Sequence, residues 1–289
     1  MSPDRVLPWV VRAGWAALPL VAGPALAEAL DSRSREVQVV ASVGAWAGWA
    51  VVLCAALILH PLSLTAVRAG AAAAPATAAA SAFAGASGGA AGAALVAGTV
   101  VVVVALLPEV AVAFVNGPAY PNERRFPLRP PAPVLFGPIV VAWGLCVALP
   151  AVAALLLAAA NWAAGSVALV IAVPSVVVLG RALHTLSRRW VVFVPAGVVL
   201  HDPLTLADPV LFRRREVVSF DLAPADSDAL DATAGALGMA VEIALAEPVP
   251  LAMVGTRSRQ AGSTSTSKVL FAPTRPGAVL REARARRFD

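Results

Sequence analysis

The stretch Gly85-Ala86-Ser87-Gly88-Gly89 has the G-x-S-x-G spacing of a nucleophile elbow, in which a strained strand-to-helix turn presents a serine Oγ for acyl transfer. That chemistry needs a histidine to take the proton and an acid to orient the imidazole. Neither lies close to Ser87 in sequence, and the surrounding run is rich in Ala and Gly, so the match is read as compositional. The three histidines, His60, His184 and His201, do not form a metal spacing such as H-E-x-x-H, and no Walker-type phosphate loop is present. No catalytic residue, metal ligand or cofactor is assigned.

Ionisable groups close to apolar windows are stronger candidates, because a charge at a bilayer centre costs about 2.5–3.5 kcal/mol on insertion scales. Arg68, Glu109 and His60 are the membrane-embedded polar residues of the sequence reading. A pair between Arg68 and Glu109 would relieve most of the burial cost of each. His60 and Pro61 end one apolar window, and Ser63 or Thr65 is placed to cap the helix that follows.

Two basic clusters remain. FVNGPAYPNERRFPLRPPAP, residues 114 to 133, carries Arg124, Arg125 and Arg129, and Arg213-Arg214-Arg215 forms the second. The loop arginines suit anionic lipid headgroups, at about 1 kcal/mol each near the surface, or the acidic residues Asp202, Asp208, Glu216 and Asp221. In a strand, Arg213 and Arg215 would share one face and Arg214 the other. The prolines prevent continuous helix in the loop, and Pro130-Pro131-Ala132-Pro133 is expected to be stiff and extended.

The elements that position these residues follow from composition. The chain is 59% apolar and 13% charged, with mean hydropathy +0.80, against about 45–50% and about 25% for soluble domains. A span needs about 20 apolar residues. Six windows of that length occur, at residues 8–30, 37–60, 63–85, 90–114, 134–158 and 160–182. Arg5 and the Ala25-Leu26-Ala27 triplet resemble a cleavable leader, but Arg12 and Pro19 interrupt the run, and a retained first helix is expected. Cys54 and Cys146 lie inside windows and suit packing.

Positive charge sets the expected orientation. With the N-terminus inside, the cytoplasmic side receives Arg5, Arg12, Arg68, Arg124, Arg125, Arg129, Arg181, Arg188 and Arg189. The outside receives Arg33 and Arg35, offset by Asp31 and Glu36. This places a multi-pass protein in a bacterial inner (cytoplasmic) membrane with both termini cytoplasmic. Glycines four apart, Gly44 with Gly48, Gly85 with Gly89 and Gly88 with Gly92, are expected at tight helix contacts or at a homo-oligomer face. The net charge of +5 is spread over membrane flanks, so no specific nucleic acid is expected.

After Arg181 the pattern changes to period two. Trp190 to Val194 and Val198 to His201 flank Pro195-Ala196-Gly197 as a β-hairpin. Further strands are expected at Val210 to Leu222, Met239 to Leu245, Leu251 to Val254 and Lys268 to Phe271, with a polar loop over Arg257 to Lys268. A helix is expected over Gly277 to Arg287, with Val279 and Leu280 inward and Arg281, Arg284 and Arg287 solvated.

The segments RRWVVFVPAGVVLHD, VLFRRREVVSFDLAP and KVLFAPTRPGAVLREARARR resemble the small bacterial pleckstrin-homology-like domains that follow membrane helices. Through HPLSLTAVR and the 114–133 loop, the whole chain resembles a family of multi-pass membrane proteins of high-GC actinobacteria that comes without an assigned activity. These resemblances imply a six-span α-helical membrane domain over residues 1–185, with a cytoplasmic loop at 115–133. A cytoplasmic β-rich, pleckstrin-homology-like domain with a C-terminal helix follows over 186–289. The expected function is a scaffold or regulator that binds a protein partner or an anionic membrane surface. A small-solute transporter or channel with Arg68, Glu109 and His60 near its pathway is the rival class.

Overall fold

The computed structural model describes residues 3–254 and 262–288. The chain divides into two compact units, Met1–Phe114 with Ile139–His184, and Val115–Pro138 with Thr185–Asp289. The first half contains helices α1 (Pro3–Leu30), α2 (Arg35–Leu57), α3 (Pro61–Ala71), α4 (Ala73–Phe83), α5 (Gly88–Leu106) and α6 (Pro108–Asn116). Strand β1 (Arg124–Pro127) and helices α7 (Ala132–Leu135), α8 (Pro138–Ala158) and α9 (Trp162–Ser187) follow.

Among the described residues, five helical stretches are long and apolar enough to cross a membrane: α1, α2, α5, α7 with α8, and α9. They leave Leu20, Val141, Val170 and Val178 exposed on their flanks, a pattern that water would penalise and lipid tolerates. By composition the chain is therefore a membrane protein. The third expected window is two helices of 11 residues each, separated at Ala72. Pro75 has no N–H for the Ala71 carbonyl and its ring crowds that position, so the break falls where Pro75 enters the first turn of α4. Pro108 likewise starts α6, with Leu107 alone between it and the end of α5.

Inside the helical unit, α1 and α2 are tied by a reciprocal pair, Trp15 Nε1 to the Trp49 carbonyl and Trp49 Nε1 to the Trp15 carbonyl, both 2.9 Å. Arg12 donates to the Ala56 carbonyl at 2.9 Å and lies over the Trp9 ring. The glycines at close helix approaches are Gly14, facing Val101, Gly70, facing Val52, Gly98, facing Ala74 and Pro75, and Gly165, facing Leu157. Gly44, Gly48, Gly88, Gly89 and Gly92 face open space within this chain, so the expected tight contacts at those positions are not made by it.

The β-rich unit holds β2 (Trp190–Val194), β3 (Gly197–His201), β4 (Val210–Arg213), β5 (Val217–Leu222), β6 (Leu230–Asp231), β7 (Val241–Met253) and β8 (Gly262–Phe271). Helix α10 (Pro276–Ala285) closes it. One sheet has the order β1-β2-β3-β4 and the other β5-β7-β8-β6. The β2–β3 hairpin turns at Pro195-Ala196, with Val194 opposite Gly197. β1 comes from the 114–133 loop: Arg124 to Pro127 pair with Phe193 to Trp190 in antiparallel register. Asn116 acts as a strand on the other edge of β1, donating from Nδ2 to the Arg125 carbonyl at 2.8 Å and accepting the Arg125 N–H at 2.9 Å.

Three local expectations change. The strand expected over Val210 to Leu222 is broken by a 3-10 turn at Arg214–Glu216, which passes the chain from one sheet to the other. The extended path expected over Pro130 to Pro133 ends at Pro131, because Ala132–Leu135 is a turn of helix with Pro133 in its first turn. The polar loop expected over Arg257 to Lys268 lies outside the described residues as far as residue 261, and from Gly262 the chain is strand β8.

The core joins both sheets to the terminal helix, through Phe126, Phe193, Phe212, Phe220, Phe271 and Phe288 with Val279, Leu280 and Ala283. Ring pairs at 5.6–6.2 Å link Phe193, Phe220, Phe271 and Phe288, close to the separations at which aromatic edges and faces attract.

Candidate functional site

In the helical unit, the residues singled out from sequence take structural positions. Ser87 caps α5, accepting the Ala90 N–H on its Oγ, while its own N–H donates to Glu28 at 2.7 Å. The G-x-S-x-G stretch is thus a helix start. His60 caps α3, its Nδ1 accepting the Leu62 N–H at 3.2 Å. Arg68 donates from Nε to the Ala105 carbonyl at 3.3 Å, in the last turn of α5, and Glu109 stands in the first turn of α6. Thr65 Oγ1 and His184 Nδ1 are 3.3 Å apart, joining α3 to α9.

The β-rich unit contains a node that the sequence did not reveal. Arg189, two residues after α9, is 1% exposed and Asp202, just past β3, is likewise 1% exposed. The carboxylate is gripped side-on: Nε reaches Oδ1 and Nη2 reaches Oδ2, both at 2.7 Å. Such bidentate geometry satisfies both charges in a dry interior. Nη1 also donates to the Arg129 carbonyl at 2.6 Å, and Nη2 to the Thr233 carbonyl at 3.4 Å. One guanidinium therefore holds together the segment before α8, the turn after β3 and the loop before β7. Asp202, expected as a partner for the loop arginines, is occupied by Arg189 instead.

The loop arginines find other partners. Arg125 pairs with Glu123 at 2.8 Å, which holds that carboxyl below the usual range, and lies over the Trp190 ring. Arg124 lies over Phe126. Arg129 donates from Nη1 to the carbonyls of Leu237 at 3.0 Å and Met239 at 3.4 Å.

Beside the node, the His201 ring stacks on Trp190 at 5.2 Å, and its Nε2 is buried with no hydrogen-bond partner among the described residues. Burial lowers the His201 pKa, Arg188 and Arg125 repel the protonated ring, and Asp202 only partly offsets them. With the folded value depressed, the unfolded chain binds the extra proton first. Stability is therefore full above the ordinary histidine value of about 6.5 and is lost as pH falls from there toward the depressed folded value. A denaturant titration across that window should show a downward slope on acidification that His201→Gln removes; an unchanged slope would assign it to other groups.

At the other end of the same sheet lies a shallow cleft of about 380 Å³ lined by Ala196, Arg213, Arg214 and Arg215. The 3-10 turn replaces the strand alternation expected for these arginines, and all three are exposed. Arg214 lies over the Phe288 ring at 4.9 Å and donates to the Arg286 carbonyl, so the C-terminal end of α10 adjoins the cleft. Arg286 is paired with Glu282 at 2.6 Å, and Arg213 approaches Glu216 at 4.0 Å. Arg215 and Arg287 add further exposed positive charge.

Spanning-length apolar helices with a separate two-sheet unit define the class, a membrane protein carrying a β-rich domain. No family model matches the chain, and no curated protein or solved structure is similar to it.

Proposed function

We propose that the chain is an integral membrane scaffold or regulator whose β-rich domain binds an acidic protein partner through the Arg213–Arg215 cleft. The observation that carries this reading is the charge of the cleft: Arg213, Arg214 and Arg215 line it and all three are exposed. Arg213 stands opposite Gly197, at the end of β3 away from His201, so the cleft lies clear of the Arg189–Asp202 node within the same unit. Exposed arginines steer acidic partners and discriminate among them.

The test places a photo-crosslinking residue at Leu211, exposed beside the cleft, in the full chain in native membranes. An adduct with one acidic protein, lost in Arg213→Glu/Arg215→Glu and weakened at least about tenfold by raised salt, is the expected result. Lipid adducts alone would replace the partner by an anionic membrane surface, and no adduct would remove the cleft as a binding site.

The domain is read as pleckstrin-homology-like, supported by its two four-stranded sheets and a terminal helix packed into their core. Six crossings with both termini cytoplasmic are proposed, with α3 and α4 together making the broken third span. Cysteines at Ser34 and Ser227 should then label from opposite sides of the membrane; labelling from one side would end the six-span arrangement.

A further inference from the structure

We propose that the loop Ala232–Ala240 is an interfacial membrane anchor, seated at the boundary between lipid headgroups and acyl chains beside the start of the Ala132–Ala158 span. The nine residues ATAGALGMA carry no charge. Leu237 is 59% exposed and Met239 60% exposed, although both belong to residue types that folded chains in water bury. Next to them in the same unit, the segment that begins the span exposes Phe136 at 77% and Leu135 at 40%.

Hydrogen bonds tie the loop to that segment. The Ala132 N–H, the first of the apolar span, donates to the Gly235 carbonyl at 3.2 Å. Arg129 Nη1 donates to the Leu237 and Met239 carbonyls, and Thr233 accepts from buried Arg189. A Cβ at Gly238 would displace the Arg129 guanidinium from its carbonyl contacts, and Ala234, Gly235 and Gly238 all adopt positive φ. The loop is thus a built feature, folded so that Leu237 and Met239 project while its carbonyls are held by Arg129. Because α8 starts at Pro138, Leu135 and Phe136 lie within three residues of a continuous apolar helix. A loop bonded to Ala132 shares their depth. Uncharged apolar side chains flanked by an arginine at the head of a span match the chemistry of the bilayer interface.

This anchor rests on the membrane reading of α8 and not on the partner of the arginine cleft. In a Cys54→Ser/Cys146→Ser chain reconstituted in lipid nanodiscs, an environment-sensitive fluorophore is attached at Leu237→Cys, Val218→Cys or Val141→Cys. Val141 on α8 reports whether that helix is in lipid, and Val218 on β5 is an exposed site away from the anchor. The Leu237 label should emit blue-shifted and be quenched by lipids spin-labelled near the headgroup, while the Val218 label stays water-like and unquenched. A water-like Leu237 label with a quenched Val141 label would overturn the anchor alone. A Leu237 label that is blue-shifted but unquenched by lipid would overturn it in favour of a protein cover, and an unquenched Val141 label would overturn the membrane reading itself. Met239→Cys repeats the measurement should Leu237→Cys fail to fold.

Discussion

An Asp202→Ala chain is expected to lose about 3–5 kcal/mol of stability in its β-rich unit, because it leaves the Arg189 guanidinium charged in an interior that excludes water. Both side chains of the pair are fully buried, so neither solvent nor a mobile neighbour can replace the carboxylate. Domains of this size hold about 5–15 kcal/mol in all, so the loss takes a large share of the total. Arg189→Met/Asp202→Leu should recover much of it, since removing both charges also removes both desolvation costs. Urea unfolding followed by pulse proteolysis of the full chain measures the difference, and a loss below about 1 kcal/mol, the level of an exposed pair, would show that the pair is not dry. The effect should also be local. Arg189 holds the Arg129 and Thr233 carbonyls, so amide exchange should accelerate first in residues 232–240, the loop assigned to the membrane interface.

Sequence pattern was most informative where one element decides its own form. Trp190 to His201 is rich in β-branched and aromatic residues on either side of a Pro-Ala turn, and the hairpin follows. The long apolar windows became helices for the same local reason. What stayed hidden depended on partners distant in sequence. RRFP is short and charged, and it becomes a strand because β2, some sixty residues on, and Asn116 supply its ladder on both edges. Arg189 reads as one more basic residue flanking a span, and only the fold brings Asp202 under it. The signal available was the acid itself, an aspartate closing the apolar run VVLHD. Arg213-Arg214-Arg215 was visible as charge, but its 3-10 geometry depends on the chain leaving one sheet for the other. The apolar loop around Leu237 carries no pattern of its own, because its form depends on the Arg129 and Ala132 contacts, about a hundred residues earlier.

The second large effect is expected in the helical unit, at Gly98. A Cβ built there would stand 2.8 Å from the Pro75 nitrogen and 3.0 Å from the Ala74 carbonyl carbon, so its neighbours are backbone and cannot rotate aside. Gly98→Ala must push α4 from α5, and overpacking of this kind costs about 1–3 kcal/mol; Gly98→Leu should lose the contact outright. Helix pairs in lipid lack the hydrophobic drive that compensates loose packing in water, so close backbone approach carries more of the association. The break at Ala72 and the proline in the first turn of α4 add to the effect, because α4 is short and depends on α5 and α1 for its seat, as the buried cluster Ala25, Ala78 and Ala94 shows. Thermal aggregation of the purified chain in mild detergent should therefore fall by several degrees for Gly98→Ala and further for Gly98→Leu. Gly44→Leu and Gly92→Leu, which meet nothing within 4 Å, supply the contrast. Unchanged stability in both would show that those faces are bathed in lipid. A loss at Gly44 equal to that at Gly98 would instead mean that α2 is covered by a second copy, and the homo-oligomer face expected from its glycine spacing would have its location.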